Sequence, residues 1–276
     1  MSNSNEIFPE LVFLGTGAAI QIPAFFCGCE TCEAARKDKK QQRTRASAAL
    51  IGQECVVIDP GPDIEFQLER ESIRRVNRIF ITHWHYDHVW GLGAFGEPPS
   101  LAGWSPIHIY LPEDVVFHFD QELSYIKRNV ILHSVHPGDR IKLPDATWEI
   151  VKTTHNEHSI GFIVESRQKF AYILDSVVPP SETVERLTDL DILILEGTMD
   201  ELCLKEGIKW MNFSVQEAID FWQQLGTKKC VLTHLSCHSW NYDHLVSGFT
   251  ITQRFEYEAR YSGLRFAHDG MRIQLI

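Results

Sequence analysis

The sequence is short of positive charge, of pairable cysteines and of long apolar runs, and each shortage removes a class of function. Lysine and arginine number 26 against 37 aspartates and glutamates, a net charge of −11. That balance gives no long-range attraction for nucleic acid or for an anionic membrane surface. No apolar stretch approaches the ~18 residues of a membrane-spanning helix. The opening segment, MSNSNEIFPE, has no basic start leading into an apolar run, so a secretory signal is not expected. Seven cysteines, an odd number unevenly placed, make a poor disulfide framework. No low-complexity linker divides the chain, so one domain over residues 1–276 is expected, in the reducing cytoplasm.

What remains is an ordinary globular composition, 44% apolar and 23% charged. Short apolar runs read as strands: ELVFLG (10–15), SAALIG (47–52), CVVID (55–59), RIFIT (78–82), IHIYL, WEIVKT, GFIVES, FAYILD, DILILE (191–196) and KKCVLTH (228–234). IEFQLERE and the stretches 181–188, 214–225 and 250–261 have helical spacing, and 91–106, rich in Gly, Pro and aromatics, reads as a loop. VVIDPGPD and YILDSVVPPS echo one another, each an apolar strand ending in Asp before a proline turn. An echo of this kind implies two β-rich halves packed sheet on sheet with helices outside.

The chemistry concentrates at the end of the RIFIT strand, where His83, His85, Asp87 and His88 form H-x-H-x-D-H. In extended chain, residues two apart project to one side, so His83 and His85 can share an ion. Asp87 and His88, at the following bend, can turn to a second. Nitrogen and oxygen donors without thiolate suit Zn, Mn or Fe. Trp84, Tyr86, Trp90, Phe95 and Trp104 surround this motif and form either core or a pocket for a ring.

The motif resembles that of the metallo-β-lactamase superfamily, and the resemblance spans nearly the whole chain. It implies an α+β fold, the αββα sandwich of two mixed sheets with outer helices, with metals at one edge. Carried over residue by residue, His155 in TTHNEHSIGF matches the third imidazole, with His158 as its rival. Asp175 in YILDS matches the bridging carboxylate, and His234 in VLTHLS the last imidazole. The implied first site is His83, His85, His155 and Asp175, and the second is Asp87, His88, His234 and Asp175.

FLGTGAAIQIPAFFCGCETC is similar, more narrowly, to the start of the phosphoribosyl cyclic phosphodiesterases that accompany carbon–phosphorus lyase, and of the pyrroloquinoline quinone biosynthesis protein B group. Arg43, Arg45 and Ser47, and the Asp269-Gly270-Met271 ending, belong to the same pattern. Cys27, Cys29 and Cys32 then form a knuckle, at about 25–35, that needs a fourth ligand to hold a structural zinc. The phosphodiesterases supply a His three residues after the last metal-binding His. Here that position is Cys237, with His238 as the alternative.

One departure stands out. Those phosphodiesterases carry a His just before the helix near 214, where it reaches the substrate, and Asn212 occupies that position here. An amide cannot transfer a proton, so His158, a water on the metals, or a leaving group that needs no proton takes its place. The expected function is a dinuclear metal-dependent hydrolase of a small, anionic phosphodiester, cyclic ones included, with Asp87 orienting the nucleophile. The alternatives are an ester, thioester or lactone hydrolase, or a cofactor-biosynthesis accessory protein. A tRNA-processing nuclease fits less well, because no basic insertion is present to grip RNA. Oligomeric state is left open, a homodimer included.

Overall fold

The computed structural model describes residues 8–198, 211–237 and 250–276. Fourteen strands lie among them: β1 Glu10–Gly15, β2 Ser47–Ile51, β3 Cys55–Ile58, β4 Arg78–Phe80, β5 Ile107–Pro112, β6 Val130–Val135, β7 Arg140–Lys142, β8 Thr147–Lys152, β9 Ile160–Glu165, β10 Lys169–Ile173, β11 Ile192–Glu196, β12 Lys229–Thr233, β13 Leu264–Phe266 and β14 Arg272–Gln274. They form two seven-stranded sheets, ordered β14-β1-β2-β3-β4-β5-β6 and β13-β12-β11-β10-β9-β8-β7. In the first sheet the pairings from β14 to β3 are antiparallel and those from β3 to β6 parallel. The second repeats the scheme, antiparallel from β7 to β10 and parallel from β10 to β13.

Strand alternation sorts the side chains into layers, because successive residues point to opposite faces. Leu11 and Phe13 of β1 face the second sheet, as Phe170 and Tyr172 of β10 face the first. Phe80 stacks on Trp148 at 4.4 Å and on Tyr110 at 4.5 Å in this central layer. The intervening residues, Val12 and Leu14 or Ala171 and Ile173, face outward. Helices cover them, among them Ile64–Arg70 on one side and Val215–Leu225 on the other. The result is the αββα sandwich of two mixed sheets that the resemblance implied.

The local signals explain most of the boundaries. Helix Val215–Leu225 starts at a Ser214/Glu217 capping box and stops at Gly226, whose φ of 69° a residue with a Cβ adopts only at a cost. Helix Ile251–Arg260 starts at a Thr250/Gln253 box. The expected loop at 91–106 instead holds a 3₁₀ segment, Trp90–Phe95, and a helical turn, Pro98–Ala102, opened by a proline whose fixed φ suits that position. Helix Glu30–Lys37 inside the cysteine segment was not anticipated. Nor were β6, whose VILHSV mixes apolar and polar residues, and β7, β13 and β14, each three residues long and too short to show a period. Helix 181–188 is cut to Ser181–Val184.

Candidate metal centre

Both sheets end their central strands at the same edge, and the candidate ligands stand on those ends. After β4 the chain runs through Thr82 into His83–Val89, turning into the short helix Tyr86–Val89. Gly61 and Gly91 make that turn fit: a Cβ on Gly61 would meet the Asp87 carbonyl at 2.1 Å, and one on Gly91 the Gly61 carbonyl at 2.1 Å. Asp59, Asp175 and His234 close β3, β10 and β12 with φ of 52°, 45° and 53°. Left-handed backbone at non-glycine residues costs about 1–3 kcal/mol each and concentrates where a side chain must be aimed.

Two groups of donor atoms converge there. His83 Nε2 lies 2.8 Å from His85 Nδ1, which lies 3.2 Å from His155 Nε2. The second spacing is close to the ~3.3 Å tetrahedral edge that metal–nitrogen bonds near 2.0–2.1 Å produce, and the first is shorter. Beside them, Asp175 Oδ2 approaches His88 Nε2 at 2.9 Å and His234 Nε2 at 3.3 Å, while Asp87 Oδ2 lies 3.3 and 3.5 Å from the same two nitrogens. Asp175 also groups with His83 and His88, so it stands between the two clusters. His88 Nε2, His234 Nε2 and Asp175 Oδ2 are buried and, although the oxygen lies 2.9 and 3.3 Å from the two nitrogens, neither contact has the geometry of a hydrogen bond. Buried polar atoms left unpaired are costly, and their lone pairs here face a common centre. The donor set therefore fits two divalent cations of the Zn, Mn or Fe kind.

In His83, His88, His155 and His234 the other ring nitrogen is tied down, which selects the tautomer that points a lone pair inward. His88 Nδ1 donates to Asp59 Oδ2 at 2.9 Å, and His155 Nδ1 to the Met211 carbonyl at 3.0 Å. Thr82 Oγ1 donates to Asp59 at 2.7 Å and so accepts from His83 Nδ1 at 3.0 Å. Thr198 Oγ1 likewise donates to Glu196 and accepts from His234 Nδ1 at 2.9 Å. Burial pushes the Glu196 carboxyl up to about 8, and the Asp175 charge adds to this.

Opposite charges face one another across the centre. Burial alone would raise Asp87, but His88 and His234 hold it well below the ordinary carboxylate range. Burial would lower His88, yet the Asp87, Asp59 and Asp175 carboxylates raise it well above its ordinary value. His83 moves the other way, lowered by burial and by the neighbouring His88.

At the far end of the first loop, the sulfurs of Cys27, Cys29, Cys32 and Cys237 lie within 4.8 Å of one another, all buried. Backbone N–H groups of Ala24, Cys29 and Cys32 point at three of the sulfurs at 3.3–3.5 Å. Burial pushes the Cys32 thiol up to about 12. Four sulfurs so placed fit a tetrahedral zinc, whose Zn–S bonds near 2.3 Å span edges of ~3.8 Å. His238 lies outside the described residues. Phe25 and Phe26 flank the knuckle, Phe25 with 92% of its surface exposed.

Among the described residues His158 joins neither cluster, since its Nδ1 pairs with Asp114 at 2.8 Å. Asn212 is buried beside Asp175. Of the aromatic residues around the motif, Phe95 is buried and packs with Trp84 and Trp104, whereas Tyr86 and Trp90 are 46% and 61% exposed. Arg43 and Asp269 lock the N-terminal turn: Arg43 donates to Thr16 at 2.6 Å, and Asp269 accepts from Thr16 and Thr44, each at 2.7 Å. Sequence reading missed Asp59, Thr82, Glu196 and Thr198. The available signal was a polar residue closing a fully apolar strand, as in VVID and ILILE.

The sequence from 54 to 235 matches the family model of the Beta-lactamase superfamily domain, about two thirds of the chain. The chain belongs to this superfamily. A curated relative, an octanoyltransferase of Porphyromonas gingivalis, is 26% identical over 239 residues, 83% of this chain and 46% of its own length. A ribonuclease Z of Pyrococcus horikoshii is 27% identical over 169 residues, 58% of this chain and 49% of its own. The chain thus spans about half the length of each. Among solved structures, a diphosphatase of the PhnP family superposes with a TM-score of 0.81 at 26% identity, covering 96% of this chain and 97% of that one. Zn(2+)-bound PqqB of Methylobacterium extorquens superposes with a TM-score of 0.78 at 19% identity over 96% and 99% of the two chains, a likeness of fold. Both groups named by the cysteine segment are therefore found, and the superfamily chain has the metallo-β-lactamase fold. No helix among the described residues is long and apolar enough to cross a membrane.

Proposed function

We propose that this superfamily member is a dinuclear metal-dependent hydrolase of a small, anionic phosphodiester. The observation that carries the reading is the convergence of seven N/O side chains on two adjoining points, with Asp175 between them. Divalent cations held by His83, His85, His155 and Asp175 and by Asp87, His88, His234 and Asp175 would supply an acidified water and stabilise charge on the phosphoryl group. Asp87, whose Oδ2 lies 3.3 and 3.5 Å from His88 Nε2 and His234 Nε2, is placed to hold the second cation and to orient the attacking water. His85 is the exposed ligand and His155 is half-buried, so substrate approaches on their side, while His88 and His234 lie within. Cations at the centre also give an acidic protein a local attraction for an anion. The diphosphatase structure and the ribonuclease Z relative, both named for cleavage at phosphorus, support this choice.

A second reading is a thioester hydrolase on the same centre, favoured by the octanoyltransferase relative, of which the chain matches less than half. The test is a screen of protein reconstituted with Mn, Zn or Fe against aryl, alkyl and cyclic phosphodiesters and octanoyl thioesters. Turnover of bis(p-nitrophenyl) phosphate with Mn is expected. Thioester turnover alone would select the second reading. Metal binding without turnover of any class would leave an accessory protein of the quinone-pathway type.

A further inference from the structure

Asn212 is buried, and its side-chain nitrogen donates at 2.8 Å to Asp175 Oδ1 and at 2.8 Å to Glu196 Oε2. A primary amide nitrogen carries two hydrogens, so both are committed to internal carboxylates. Glu196 is itself fully buried, and its other oxygen accepts from the Ser176 N–H at 2.5 Å. The same carboxylate therefore grips the Asp175–Ser176 corner twice, directly through Ser176 and through the Asn212 amide. It also takes the Thr198 hydroxyl that receives His234 Nδ1–H. The backbone beside Asn212 is pinned too: Phe213 N–H donates to the Ser176 carbonyl at 3.1 Å, and the Ser214 cap follows. With Oδ1 so occupied, Asp175 presents only Oδ2 to the metal centre, and that oxygen is the one without a hydrogen-bond partner.

We propose that Asn212 is a positioning residue, which with Glu196 fixes Asp175 between the two clusters and takes no part in protonating a leaving group. The inference rests on the metal-centre reading and extends it to substrate choice, because both hydrogens of the amide face internal acceptors and neither is left for a leaving group. Substrates whose leaving group departs without a proton are then the natural class, aryl phosphodiesters and strained cyclic phosphates among them.

The test is a Mn²⁺ titration of metal-stripped protein, followed by electron paramagnetic resonance, with activity read at limiting and at saturating Mn²⁺. Asn212→Ala is expected to weaken the more loosely held Mn²⁺ by about 10- to 100-fold, the usual effect of losing a ligand's hydrogen-bond partner. Its activity on aryl and alkyl phosphodiesters should fall by the same factor and recover at saturating Mn²⁺. Glu196→Gln keeps the shape of the hub and should show a smaller weakening, so it carries the test should Asn212→Ala fail to fold. Unchanged Mn²⁺ affinity in the folded variants overturns the proposal. So does a loss that persists at saturating Mn²⁺ and is greater for alkyl leaving groups. Wild-type protein that binds no Mn²⁺ would instead sink the metal-hydrolase reading itself.

Discussion

In the first half of the chain β3 ends at Asp59 in left-handed backbone, and in the second β10 ends at Asp175 in the same conformation. Each is followed by a strand whose end carries the next polar group, Thr82 after β4 and Glu196 on β11. The two corners are built alike and used differently. Asp59 spends its oxygens on Thr82 and His88 and so orients ligands from behind. Asp175 gives one oxygen to Asn212 and turns the other to the centre. A single corner design yields a supporting carboxylate in one half and a carboxylate turned to the centre in the other, and what separates them is the donor each finds on its neighbouring strand or loop.

Exchanging these roles should produce the largest effects. Asp175→Ala is expected to remove activity and the second metal while the protein stays folded, measured by elemental analysis beside circular dichroism. Asp59→Asn should keep both metals at high concentration but lower their affinity by about 10- to 100-fold. Equal defects in the two variants would break the distinction between the corners.

The knuckle sharpens the comparison, because Cys27, Cys29 and Cys32 come from the first half and Cys237 follows His234 in the second. Mild chelation should strip the N/O centre and leave one zinc on the thiolates. Cys237→Ser should lose that zinc and lower the melting temperature by about 5 °C or more, on a scale of ~2–4 °C per kcal/mol for a chain approaching this size. Paired disulfides among the three N-terminal cysteines would contradict it.

The smallest expected effect lies where β14, from the end of the chain, joins the first sheet. Burial would raise Glu71, but Arg70 and Arg272, paired with it at 2.8 and 3.0 Å, hold its carboxyl below the ordinary value. A carboxylate lowered on folding adds stability above its unfolded pKa of about 4.3, and that stability is lost as pH falls through the lower folded value. Glu71→Gln should therefore lower stability slightly at neutral pH and flatten the acid side of the stability–pH curve, the difference from wild type vanishing once pH falls below the folded value.

The sandwich was legible because both sheets are buried on both faces, so their strands appear as short apolar runs closed by polar residues. H-x-H-x-D-H and the cysteine spacing marked the donor atoms by residue type, and the structure brings those side chains together. The supporting layer was not legible in the same way. Asp59 could be seen as half of an echo, but nothing in VVIDPGPD says that it meets His88, 29 positions on. Glu196 read as the end of a strand, since its partners Asn212, Ser176 and Thr198 reach it from separate segments. Asn212 was located by the pattern it departs from, while the direction of its amide depends on packing that no local window contains.

The first sheet is not complete within the first half, because β14 pairs with β1 and Asp269 holds the turn at Thr16. On a ribosome adding roughly 5–20 residues per second, β14 emerges roughly 7–27 s after β6. His83, His85, Asp87 and His88 leave the exit tunnel well before Asp175 and His234. For that interval the chain carries only the first set of candidate ligands, on a sheet that still lacks β14. Asp175 and His234 come late in the chain, so the two clusters can be joined only after most of both sheets has been made.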